Sequence, residues 1–455
     1  MNKKENKISK EIKINKKLAR RNYSNQTGIT LIALVVTIVV LLILAGVSLN
    51  AIFSENGIIK RAQDAQNKMN NAQESDLNAL NDLDKWINNQ VNGTTGGNTT
   101  GGNDNPSTTP KISTLVGKVV DKNTKAEDAY GNKITIPKGF KILEHNPTSN
   151  TGAVTYNYTN LEETGEHIPA VQDGIVIEDT QTGTAGNQFV WVPVGTIKNK
   201  NGSTNTITLG RYEFDSSTGA LKSTTPAQVA SVENCTKIVT ISKGGTDYQE
   251  LSTFREGNSA TNSTAQNATA RNLEEFISTT LANGGYYIAR FEASGTASKI
   301  ASKYNQTVLG NITQPNAAKV AREMYGEVKE NNELVYASDL VNSYAWDTAI
   351  VFIQTYSGKT DYASHNESIT TKAFTATGKN NDKYCNIWDM SGNAYEWTTE
   401  YSTSSHNSNF YPCVRRGGYY DTDSGVANNY TSNRSRSYTT NSLSIVSLRS
   451  LLYVK

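Results

Sequence analysis

"CNIWDMSGNAYEWTTEY", residues 385–401, is the stretch on which the reading of this 455-residue chain turns. It reads as a strand, a sharp Ser-Gly-Asn turn and a second, aromatic-rich strand. Trp388 and Trp397 are large apolar bodies that gain from burial on either side of the turn. Asp389 and Glu396 bracket it, with the backbone carbonyls of Gly392 and Ala394 between them. Hard oxygen donors gathered at a glycine turn are the ligand type calcium takes. A purely structural turn would use the same residues for backbone shape alone.

Outward from this turn, residues 111–455 are long enough for a sizeable core. Short runs with Gly, Asn and Asp punctuation predict strands at Asn132–Leu143, Asp173–Thr180, Asn187–Gly195 and Gly284–Ser294. "SDLVNSYAWDTAIVFIQTYSG" (Ser338–Gly358) predicts the best helix, with Trp346, Ala349, Ile350 and Ile353 at core spacing. A second helix is expected within "TARNLEEFISTTLANGG", near the end of a Thr/Ser/Asn-rich insertion at 198–282. The head therefore reads as α+β with much irregular structure.

The turn resembles the "DMxGNVWEW" signature of the formylglycine-generating enzyme (sulfatase-modifying factor) family. "YYIARFEAS" is similar to that family's "YxIxKYEVT" strand, "YAWDTAIVFIQTYS" to its "VSWEDAxAYCxWLS" helix, "RRGGYY" to its "RGGSW", and "SLRSLLYV" to its closing "GFRxxL" strand. The resemblance implies an irregular fold related to C-type lectins and a calcium site at Asp389, Gly392, Ala394 and Glu396. It does not extend to the chemistry. The family's oxidation uses two cysteines just after "RGG", which hold copper as thiolates. Here Cys413 precedes that motif, Cys385 belongs to the turn strand, and residues 417–442 contain no cysteine. No copper and no enzyme activity are expected, and a formylglycine-generating-type oxidase is the disfavoured alternative.

Residues 417–442 instead hold four Asn, four Tyr, five Ser and four Thr, with Arg434 and Arg436. Tyrosine gives contact area at low entropy cost, and Ser and Asn give adaptable hydrogen bonds, as in antibody-like loops. A lectin-like fold with such a segment resembles the variable ligand-binding proteins of diversity-generating retroelements. The resulting expectation is a non-catalytic recognition protein for an unidentified extracellular glycan, peptide or protein. Its contact set is Tyr419, Tyr420, Asn428, Asn429, Tyr430, Arg434 and Tyr438.

The N-terminal part predicts how this head is held. Residues 1–27 carry nine Lys or Arg against two Glu, a net +7, so the whole-chain +2 leaves −5 for residues 28–455. No basic stripe remains to hold phosphates, and nucleic acid is not an expected partner. Ile29–Phe53 has no charge over 25 residues, which as a helix rises about 37 Å, enough to cross a membrane. The basic leader places the head outside. "G-ITLIALVV" resembles the type IV prepilin processing site, with a prepilin peptidase cutting between Gly28 and Ile29. The family's usual Glu at the fifth mature position is replaced by Ala33, which weakens the case for filament docking. The expected organisation is a leader (1–28), a long transmembrane and amphipathic helix (29–91) with residues 29–53 in lipid, a Gly/Thr/Asn linker (92–110) and the head (111–455). A single-pass location in the cell membrane follows, with a minor pilin-like subunit in a pilus-like assembly as the alternative. Three cysteines without a CxxC pair and four scattered histidines indicate neither a disulfide framework nor a zinc site.

Overall fold

The computed structural model describes residues 109–455, except 159, 162–165, 234, 236–238, 251–267, 332, 368–372, 407–408 and 422–429, together with Val36. Thirteen of its strands build two larger sheets; the rest form short two-stranded ribbons. In chain order they are β1 (Phe140–Ile142), β2 (Val176–Asp179), β3 (Gln188–Pro193), β4 (Ile241–Lys243), β5 (Thr246–Gln249), β6 (Gly285–Ala289), β7 (Glu327–Glu330), β8 (Glu333–Leu340), β9 (Tyr395–Ser402), β10 (Cys413–Arg416), β11 (Ser435–Ser437), β12 (Val446–Leu448) and β13 (Ser450–Val454).

The first sheet has seven strands in the order β7-β8-β13-β6-β3-β2-β1, with every neighbouring pair antiparallel. Its central strands are nearly continuous apolar runs because both faces are covered. Along β3, Val190 and Val192 enter one core while Phe189 and Trp191 enter another. Along β6, Tyr286 and Ile288 go one way, Tyr287 and Ala289 the other. This is the alternation of a strand pleat read into two hydrophobic layers. The second sheet runs β4-β5-β9-β10-β11, with β12 lying parallel to β9. Behind it a third core gathers Tyr395, Trp397, Cys413, Val446 and Leu448.

Four α-helices lie among the described residues: α1 (Ile112–Leu115), α2 (Leu273–Asn283), α3 (Gln314–Glu323) and α4 (Ser343–Tyr356). Asn342 caps α4 by accepting the Ala345 N–H at 2.9 Å, and Asn272 does the same for α2 with Glu275. Each such cap is worth about 1 kcal/mol. Helix α4 buries every side chain from Ser343 to Ile353 against the first core. Its charged Asp347 is the odd member of that face.

Several expectations are corrected. The expected α+β class is corrected: among the described residues strands dominate, with four short-to-medium helices. The expected long N-terminal transmembrane helix, and the single-pass membrane location built on it, are not retained. Among the described residues no helix is long and apolar enough to cross a membrane. The leader, Gly28, Ile29, the run to residue 91 (Val36 apart) and linker residues 92–108 lie outside the described residues. The predicted strand Asn132–Leu143 is two strands, Lys133–Ile136 and β1, parted by a turn at Pro137–Gly139. Parts of the stretch at 198–282 pack into the head. Ile207, Leu209 and Tyr212 enter the first core, and β4–β5 join the second sheet beside β9.

Candidate functional site

The signature turn forms as read, immediately ahead of β9. Asp389 and Asn393 take left-handed backbone angles (φ 58° and 50°), as does Gly392 (φ 80°). Short polar side chains and glycine are the residues that tolerate this region. A Cβ on Gly392 would lie 2.8 Å from the Glu367 carbonyl oxygen, so the turn needs glycine on both counts. Trp397 is fully buried and its indole N–H donates to the Ile312 carbonyl.

The turn's carboxylates are committed within the protein. Glu396 receives three donations from Arg449 at 2.6–3.1 Å. Asp389 accepts the Gly378 N–H at 3.0 Å and the Asn380 amide at 2.9 Å. The Gly392 N–H donates to the Gly417 carbonyl, and the Ala394 N–H to Glu292 Oε1. Burial raises the Asp389 carboxyl to about 6 and the Glu292 carboxyl well above its usual range. No group of three or more metal-ligating side chains converges among the described residues. Glu396 faces the Arg449 guanidinium, to which both of its carboxylate oxygens are bonded.

Beneath the start of the polar segment lies a buried ion cluster not foreseen from sequence. Glu400 on β9 accepts from Arg211 (2.7 Å), Arg416 (3.2 Å) and Arg434 (2.8 Å). Asp347 on α4 accepts from Arg434 (2.6 Å) and from Arg416. Burial alone would raise the Glu400 carboxyl, but Arg434, Arg211 and Arg416 overcome it and hold the group down at about 2. Trp346 adds an indole N–H donated to the Thr431 carbonyl at 3.0 Å. Arg416 also donates to the Asn433 carbonyl at 2.8 Å. The backbone on the C-terminal side of the segment is thus fastened to α4 and β9.

On the opposite face of β10, aromatic rings line the beginning of the segment, Tyr395 buried and the others half-buried. Tyr395 stacks on Tyr419 at 5.1 Å, Tyr419 meets Tyr420 edge-on at 5.4 Å, and Tyr420 meets Phe374 at 5.6 Å. The Arg415 guanidinium sits 4.3 Å over the Tyr395 ring, and its Nη1 has no hydrogen-bond partner among the described residues. Beyond β11, Tyr438 packs on Tyr411 with centroids 4.3 Å apart and donates to its hydroxyl.

The predicted contact residues therefore divide. Tyr419, Tyr420 and Tyr438 are half-buried. Asn428 and Asn429 lie outside the described residues. Arg434 is a correction: it is 7 % exposed and its guanidinium is spent on Glu400 and Asp347. Tyr430 is a second, also 7 % exposed and bonded to Lys243. Arg415 was missed; its signal was its place beside Arg416 on a strand, where neighbouring side chains must face opposite ways. Cys385 and Cys413 form no disulfide, and burial raises both thiols, the reverse of what a reactive thiolate requires.

No family model matches this chain, and no curated protein matches it. Among solved structures it is similar to a Major Tropism Determinant U1 variant, at 11 % identity and a TM-score of 0.22, over 76 % of this chain and 98 % of that one. A likeness that weak establishes neither fold nor function.

Proposed function

We propose that residues 109–455 are a non-catalytic recognition domain, and that the ligand is met by the polar segment between Gly417 and Ser442. One observation carries this reading: the ladder Tyr395–Tyr419–Tyr420–Phe374, with Arg415 over the Tyr395 ring, lines the start of the segment, while the ion cluster on the other face of β10 fixes its backbone at Thr431–Arg434. Rigid aromatic bodies with few rotatable bonds bind at low ordering cost, and an arginine on an aromatic face is a common anchor at interfaces. The signature-turn resemblance to the sulfatase-modifying-factor family supports the same reading, since the family's copper-binding cysteines have no counterpart after Arg416. The test is a screen of the full-length chain against immobilised glycans and proteins. Hits that compete with one another and vanish with Tyr420→Ser support it. A screen whose hits all survive that change sinks it.

A further inference from the structure

A second concavity lies away from the aromatic ladder, where the first strand of the signature meets the loop after the short Val171–Asp173 helix. Its volume is about 240 Å³, and it stands half-open to solvent. Tyr158 and Tyr356, edge to face at 6.0 Å, form one wall together with Tyr384. The floor is Cys385–Asn386, two consecutive residues in left-handed backbone (φ 46° and 61°). Cysteine takes that conformation rarely, and such strain persists where the surroundings hold it, often at ligand sites. Asn386 is pinned there by its amide, which donates to the carbonyls of Thr155, Asp173 and Gly174.

Two polar groups of the lining are left over. Gln172 is 1 % exposed and its amide nitrogen donates to the Lys198 carbonyl, which fixes the orientation of the amide. Its Oε1 then has no donor among the described residues. A buried carbonyl without a donor costs about 1–3 kcal/mol unless a ligand or water supplies one. Lys383 lines the same cavity. Its amine donates to Thr155 Oγ1 at 2.9 Å and has no carboxylate partner among the described residues. The neighbouring Asp173 accepts backbone N–H groups from Asn157 and Tyr158, both at 2.8 Å. It is therefore committed to the wall, and the lysine, 3.5 Å from the Ala153 carbonyl and 5.6 Å over the Trp388 ring, is left without a counter-charge among the described residues.

The geometry points to a binding site for a small carboxylic acid that carries hydroxyl or amino donors next to its carboxylate, the acid group on Lys383 and a donor on Gln172 Oε1. The tyrosine wall covers the ligand's carbon face. This site does not rest on the reading of the polar segment, and its residues are separate from it. Sugar acids and amino acids share the chemistry, and the probes distinguish them.

The full-length chain is titrated by calorimetry with sodium glucuronate, alanine, propionate (a carboxylate without donors) and glucose (donors without a carboxylate). Glucuronate or alanine binds at least tenfold more tightly than both controls; the tighter of the two names the source. Lys383→Met reduces that affinity at least tenfold, as does Gln172→Leu, each with circular dichroism spectra matching the wild type. Should Gln172→Leu fail to fold, Lys383→Met alone decides. Saturation by neither acid up to 10 mM, on the order of the weakest specific affinities, overturns the proposal. Binding unchanged by Lys383→Met does so as well.

Discussion

Replacing Glu400 by Gln removes the one carboxylate that three buried guanidinium groups share. The side chain is fully buried, as are those of Arg211 and Arg416, so solvent screening does not soften the effect. Its carboxyl stands at about 2 in the folded protein against 4.5 for the ordinary group. A tenfold change in proton affinity is worth ~1.4 kcal/mol, so that difference corresponds to stabilisation on the order of 3 kcal/mol. Losing one partner of a buried pair costs a similar ~3–5 kcal/mol, because uncompensated charge remains behind. The sign follows from the depressed folded value: the contribution is complete above pH 4.5 and is lost as pH falls from there toward 2. Urea unfolding of wild type and Glu400→Gln is measured at pH 7 and through the acid range. The expected result is a loss of about 3 kcal/mol at pH 7 and a gap that narrows progressively below pH 4.5. A loss under ~1 kcal/mol, or two stability curves falling in parallel through acid, would refute the cluster as the fastener beneath the segment.

Three further outcomes are expected. Trp346→Phe keeps most of the buried ring but loses the N–H donated to Thr431; it costs roughly 1–2 kcal/mol and speeds amide exchange at Thr431 and Ser432, and unchanged exchange there would count against the tether. Burial raises the Glu250 carboxyl from 4.5 to about 7, despite hydrogen bonds from Thr399 and Ser343. Its stabilising protonated form is complete below pH 4.5 and lost as pH rises through 7, so Glu250→Gln flattens the stability decline between pH 5 and 8; an unaltered slope contradicts this. Calcium added to the wild type leaves its melting temperature unchanged, since Arg449 fills Glu396; a calcium-dependent rise would mean the guanidinium yields.

What the sequence made legible was local. The apolar runs at Asn187–Gly195 and Gly284–Ser294 announced β3 and β6, because a strand covered on both faces has no polar alternate positions to hide it. The Ser-Gly-Asn turn was readable because left-handed backbone restricts residue choice. Its content was not: Glu396 finds Arg449 across 53 residues of chain, and no spacing rule links them. Asp347 carried a signal, a charge amid core-spaced residues of α4, but its partners Arg416 and Arg434 are 69 and 87 residues away. Arg434 was assigned to the surface because composition describes what a segment contains and says nothing of which side chains turn inward. The stretch at 198–282 looked like an insertion because its Thr, Ser and Asn content conceals the few residues, such as Leu209 and Tyr212, that enter the core.

The most direct test of the recognition reading takes the tightest binder from the array screen and measures its affinity for the full-length chain by surface plasmon resonance. The comparison is the double variant Tyr419→Ser, Tyr420→Ser, with melting temperature recorded alongside. A fall in affinity of tenfold or more at near-native stability is the predicted result. Wild-type affinity in the variant would place the ligand elsewhere on the protein and contradict the reading.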